Sequence, residues 1–223
     1  MMTQATIDQA DFGRMREAMV ASQLRTNAVN DPRVVAAMAR VPREAFVPES
    51  LRRMAYRDTA LPVAHGRAVN LPIAIGKMLT QARIGPLDRV LLIGAASGYT
   101  AAVAALLANA VVAVESDPAL LAIARPALAS YANVELIEGD LGAGHAAGAP
   151  YDRLIVDGAV EHLPQALVEQ LRPGGRAVAG LIDRGVTRLA TGVRSEGGFG
   201  LAAFADVDCV TLPGFARPKA FTF

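Results

Sequence analysis

The chain carries one cysteine, Cys209, and no tryptophan. A lone cysteine excludes a disulfide framework, a cysteine-rich zinc site and a CxxC redox pair. It fits a reducing, cytoplasmic location. Surplus charge is also lacking: 22 Lys+Arg stand against 21 Asp+Glu, for a formal charge of +1. Near neutrality argues against a nucleic-acid binder that works through a broad basic surface. No apolar run is long enough to cross a membrane. The longest, residues 100–114, is broken by Asn109 and is shorter than the roughly 20 residues a spanning helix needs. Residues 1–10 lack the basic start and apolar stretch of a signal peptide. The histidines are His65, His145 and His162. They fall in different expected loops without metal-ligand spacing, so no metal site is expected.

The 223 residues are 52% hydrophobic, which supplies an Ala/Val/Leu core and excludes intrinsic disorder. The length fits one domain, or one with an appendage. Residues 13–27 read as an amphipathic helix, with Met15, Met19, Val20 and Leu24 on one face. Asp31 and Pro32 open a second helix as N-cap and first helical residue, and Pro42 ends it. Residues 43–70 read as irregular, and Pro72 opens a third helix to about Ala82. From Asp88 the rhythm changes. Strands are expected at 89–93, 110–114, 134–137, 153–157 and 176–181, with helices at 98–108, 118–130 and 164–171. Strand–helix alternation with fully apolar strands implies a doubly wound α/β fold, its mostly parallel sheet covered on both faces. Residues 142–149 read as a loop, and the tail from about 187 as antiparallel edge strands. The chain thus divides into an N-terminal helical layer with a substrate-side loop (1–84) and a Rossmann-like body (85–223), forming one structural unit.

The first strand-to-helix turn, Gly94-Ala95-Ala96-Ser97-Gly98, suits a cofactor loop. Glycine lets the backbone turn sharply and approach a ligand, and helix N–H groups point at it. Glu115 ends the next strand about 20 residues on, where a carboxylate can accept both ribose hydroxyls. No third glycine follows at dinucleotide spacing. A nucleoside cofactor without pyrophosphate, such as S-adenosylmethionine, demands less of this loop. Asp140, after the third strand, can accept a hydrogen bond from an adenine amino group, or can be a solvated turn residue.

Residues 14–181 resemble the protein-L-isoaspartate O-methyltransferase family. The resemblance is carried by Asp31-Pro32-Arg33-Val34, by Val41-Pro42-Arg43-Glu44-Ala45-Phe46-Val47-Pro48, by Ser97-Gly98-Tyr99 and by Gln170-Leu171-Arg172-Pro173-Gly174-Gly175. It implies a class I S-adenosylmethionine-dependent methyltransferase that esterifies the free α-carboxyl of isoaspartyl residues in damaged proteins or peptides. The chain is expected to act as a monomer, without nucleic-acid or membrane partners. The resemblance further implies cofactor contacts from Gly94, Ala95, Ser97, Gly98, Glu115, Ser116, Asp140 and Leu141. An α-carboxyl has a pKa of about 3.5, so such a reaction needs alignment more than a base.

Three departures bear on the site. Asn70 stands where the family has a serine near the substrate carboxylate; it can hydrogen-bond the carboxylate or merely cap the following helix. Leu92 replaces a glutamate and Ala96 a glycine. Asp157, at the end of the fourth strand, is a possible substitute anchor for the cofactor's amino-acid end, or an exposed loop residue. Three readings stay open: the family reaction, a methyltransferase with another acceptor, and a non-catalytic descendant with a degraded cofactor site.

Overall fold

The computed structural model describes residues 9–217. Helix α1 (Gln9–Met19) continues through one turn of wider helix and one tighter turn to Asn27, covering the first expected helix. Helix α2 (Pro32–Arg40) starts as expected: the Asp31 carboxylate accepts from the Arg33 and Val34 amides, satisfying two of the orphan donors of the first turn. Helix α3 (Pro72–Ala82) also matches. The stretch between them differs from the expected irregular segment. It holds two short 3-10 turns and a β-hairpin, β1 (Leu61–Ala64) with β2 (Arg67–Val69). Ala64 pairs with Arg67, leaving His65 and Gly66 as a two-residue turn, both with positive φ. That is the primed geometry whose twist matches the flanking strands.

The body is one seven-stranded sheet. In chain order its elements are β3 (Arg89–Ile93), α4 (Tyr99–Ala105), β4 (Ala110–Glu115), α5 (Pro118–Leu128), β5 (Val134–Glu138), β6 (Tyr151–Val160), the short α6 (Gln165–Val168), β7 (Leu171–Asp183), β8 (Val186–Val193) and β9 (Ala202–Ala205). The spatial order is β5-β4-β3-β6-β7-β8-β9. β3 to β7 run parallel; β8 and β9 add an antiparallel edge, as expected for the tail. Val90 to Ile93 and Val111 to Val114 are buried because helices cover both faces. Chain order reverses between β3 and β6, so a crevice opens at their carboxyl ends, where ligands of such sheets bind. The hairpin is a separate two-stranded sheet outside this ladder.

After β9 the chain crosses that crevice as a strap, residues 206–217. The Val210 carbonyl accepts from the Ala159 amide at 2.7 Å, and the Leu212 amide donates back to Ala159 at 3.0 Å. Further along, Phe215 is buried, and its carbonyl meets His162 Nδ1 at 3.1 Å. The Arg217 amide donates to Glu161 Oε2 at 2.7 Å.

Candidate active site

The glycine turn lies at the carboxyl end of β3, as its position between strand and helix predicts. Gly94 and Gly98 have φ of +81° and +98°, so both need the freedom of glycine. Ala96 also has a left-handed φ, +49°, where the resemblance places a glycine. The loop satisfies its own donors: the Gly94 and Ala95 amides donate to the Val114 carbonyl, and the Gly98 amide to Ala95. Ser97 is fully buried and its hydroxyl donates to the Phe46 carbonyl at 2.5 Å, which ties the loop to the N-terminal layer.

Glu115 ends β4 with no exposed surface. Its Oε2 accepts from the Ala96 amide at 2.8 Å, and its Oε1 from the Ser116 and Asp117 amides at 2.9 and 3.2 Å. The Arg67 guanidinium, from β2, then closes on both oxygens at 2.8 and 3.1 Å. Nothing in the sequence pairs these residues, and Arg67 was not among the expected site residues. Asp140 is exposed beyond β5, and its Oδ1 accepts from the Ala143 amide at 2.8 Å. Leu141 beside it is buried.

Asn70 does not cap α3. The cap position is Leu71, without a side-chain hydrogen bond. Instead the Asn70 amide bridges two elements: Nδ2 donates to Asp157 Oδ1 at 3.1 Å, and Oδ1 accepts from the Val210 amide at 3.1 Å. Asp157 is correspondingly buried rather than an exposed loop residue. Burial pushes its carboxyl above the usual range, against the opposing pull of Asn70 and the Arg43 guanidinium. Arg43 is itself fully buried, donates to the Ala55 and Asn70 carbonyls and stacks 4.7 Å over the Tyr99 ring. Leu92, where the resemblance places a glutamate, is fully buried. Ile93 pairs with Val156, and Asp157 follows Val156 on β6 beside the glycine turn. The chain thus keeps a carboxylate at this crevice, on a different strand.

As these side chains stand, Arg67 occupies the place expected for the ribose of S-adenosylmethionine. Both Glu115 oxygens are taken by four amino-acid partners, so a ribose finds no free acceptor. Leu212 lies so close to Gly94 that an added Cβ would meet it at 2.9 Å. Beside these groups a cavity of about 360 Å³ opens between the hairpin tip, Ser116, Asp117 and Thr211–Pro213. Among the described residues no cluster of His, Cys, Asp and Glu could hold a metal.

Comparison with known proteins matches this architecture to one family. The family model described as protein-L-isoaspartate(D-aspartate) O-methyltransferase matches residues 14–212. A protein-L-isoaspartate O-methyltransferase 1 of Rhodopseudomonas palustris is 44% identical over 77% of this chain and 71% of its own length. A protein-L-isoaspartate O-methyltransferase of Methanoculleus marisnigri is 41% identical over 82% of this chain and 84% of its own. Among solved structures, one of a protein-L-isoaspartate O-methyltransferase shares the fold with TM-score 0.77 at 24% identity, covering 89% of this chain and 66% of that one. A Plasmodium falciparum structure ascribed to the same enzyme, in complex with S-adenosyl-L-homocysteine, gives TM-score 0.75 at 19% identity, over 88% of this chain and 97% of that one. The doubly wound sheet, the glycine turn on β3 and the match across nearly all described residues lead to one conclusion: the chain belongs to the protein-L-isoaspartate(D-aspartate) O-methyltransferase family.

Proposed function

We propose that this chain is an S-adenosylmethionine-dependent carboxyl methyltransferase that acts, as a single chain in the cytoplasm, on isoaspartyl residues of damaged proteins or peptides. The observation that carries the reading is the convergence of the Gly94–Gly98 turn, Glu115 and Asp157 on the carboxyl ends of β3, β4 and β6, with Asn70 arriving from the N-terminal layer. Gly94, Ala95, Ser97, Gly98, Glu115, Ser116, Asp140, Leu141 and Asp157 line the cofactor side, and the N-terminal layer, described from residue 9 to 84, supplies the acceptor side. Asn70 is the group nearest the role of orienting the acceptor, because its Nδ2 carries a second hydrogen that a carboxylate can accept. The acceptor carboxylate is already an anion at neutral pH. None of the three histidines meets Asn70 or Asp157 in a hydrogen bond, so the site suits an alignment reaction. No helix among the described residues is long and apolar enough to cross a membrane.

The test is transfer of labelled methyl to an isoaspartyl peptide, with the aspartyl isomer as control. Label on the isoaspartyl peptide alone is the expected result. Equal labelling of both isomers points to another acceptor. No labelling of either, by the protein or by a variant that binds cofactor, overturns the reading.

A further inference from the structure

Arg67 occupies Glu115 where a nucleoside would have to bind. The pair is bidentate, and the two side chains are 8% and 0% exposed. Charge-assisted fork geometry of this kind is among the stronger protein hydrogen bonds, and burial shields it from salt. A ribose offers two neutral hydroxyls for the same oxygens. It competes at a disadvantage unless Arg67 first leaves.

The base of the hairpin that carries Arg67 is anchored in the core through Leu61 and Val69, but its tip is held by fewer contacts. β1 and β2 form their own two-stranded sheet, with no ladder to the main sheet. The tip is the two-residue turn His65–Gly66. Besides Arg67, the tip is held by His65 Nδ1 against Asp117 Oδ2 at 2.7 Å, a pair with a largely exposed histidine. Exposed pairs of this kind contribute little. The cavity of about 360 Å³ lies under this tip, lined by His65, Gly66, Arg67, Ser116 and Asp117, with Leu212 on the far wall. Rotation of Arg67 away from Glu115 would join that cavity to the glycine turn.

We infer that the β1–β2 hairpin is a clasp, in which Arg67 stands in for the ribose at Glu115 and holds the nucleoside site shut until it is released. The inference rests on the methyltransferase reading above, and it concerns how that site is opened. The apparent dissociation constant of a ligand that needs the open form is raised by the reciprocal of the open fraction. Weakening the clasp therefore tightens binding.

The experiment is calorimetric titration of S-adenosylhomocysteine into the full chain and into Arg67→Gln, Arg67→Lys and His65→Ala. Arg67→Gln leaves Glu115 without its counter-charge whereas Arg67→Lys keeps one, so melting curves check that each variant is folded. Arg67→Gln should bind at least tenfold more tightly than the native chain, with Arg67→Lys between them and His65→Ala shifted less in the same direction. Hydrogen exchange at the Arg67–Val69 amides should quicken when ligand is added to the native chain. Equal affinities across the folded set, or weaker binding by Arg67→Gln, would overturn the clasp and leave the methyltransferase reading standing. No binding by any protein at millimolar ligand would overturn both.

Discussion

Arg67 and Glu115, 48 positions apart, meet through two hydrogen bonds of 2.8 and 3.1 Å at the carboxyl end of β4. Breaking such a buried pair from one side leaves an uncompensated charge, at a typical cost of about 3–5 kcal/mol. Glu115→Ala should therefore destabilise strongly, and it also orphans the Ala96, Ser116 and Asp117 amides. The double variant Arg67→Ala/Glu115→Ala should cost less than the sum of the two single changes. Urea unfolding of the four proteins measures this. Strict additivity would mean that the two residues are not energetically coupled.

The carboxyl of Asp157 gives a pH signature. Burial raises its pKa above the ordinary 3.8. The folded state then holds the proton more tightly than the unfolded state. Stability is full below the unfolded pKa, falls as pH rises through the window up to the folded pKa, and stays reduced above it. Asp157→Asn keeps an acceptor for Asn70 and removes the charge. Its melting temperature should exceed the native value at pH 8, with the difference vanishing as pH drops below 4. In a domain this size each 1 kcal/mol corresponds to about 2–4 °C. A less stable variant at pH 8 would show that Arg43 depends on the Asp157 charge more than the charge resents burial.

Cys209, on the strap, is half-buried close to the same carboxylate. Burial, with the Asp157 charge next, pushes its thiol up to about 12. At pH 8 far fewer of these thiols are then the reactive thiolate than the roughly one quarter of an ordinary cysteine of pKa near 8.5. Iodoacetamide should label the native chain far more slowly than the urea-unfolded chain. Asp157→Asn should speed the native reaction. Equal rates in native and unfolded protein would mean that the strap does not bury this residue.

Much of this fold is legible in local sequence. Asp31-Pro32 starts α2 through a cap that the pair itself specifies, and Pro72 starts α3 because proline tolerates the first turn. The apolar runs on β3 and β4 reveal buried parallel strands. The hairpin is less legible: Leu61-Pro62-Val63-Ala64 lacks clear alternation, and His65-Gly66 is not the Asn-Gly or Asp-Gly pair that signals a primed turn most strongly. The site divides in the same way. Gly94, Gly98 and Glu115 are marked by their spacing within one β-α-β unit. The company that Glu115 keeps is not, because Arg67 reaches it from a separate sheet. Asn70 looks like a helix cap in sequence because it sits before Leu71-Pro72, yet its amide is drawn to Asp157 and Val210 by the strap, an element far along the chain.

The strap supplies the sharpest steric test. Gly158 lies on β6 against it, and an added Cβ there would sit 2.6 Å from Leu212 Cγ and 2.7 Å from the Val210 carbonyl oxygen. The leucine could rotate. The carbonyl cannot, because it accepts from the neighbouring Ala159 amide and the Leu212 amide returns to Ala159. Gly158→Ala must therefore lift the strap from β6, breaking these bonds and the Val210 contact to Asn70 together. Overpacking of this kind costs about 1–3 kcal/mol. The loss should be confined to the strap, since β6 pairs with β3 and β7 through other residues. Limited proteolysis with a protease of broad specificity should then cut Gly158→Ala within residues 206–216 well before the native chain, while the sheet resists in both. Gly185→Ala, at a turn where a Cβ meets nothing within 4 Å but φ is +79°, serves as the control for backbone strain alone. If Gly158→Ala and Gly185→Ala are cut at the same rate within 206–216, the strap is not seated on β6 in solution. Faster cleavage of Gly158→Ala alone would identify Gly158 as the position that lets the strap lie close enough to bring Val210 to Asn70 and Leu212 to Gly94.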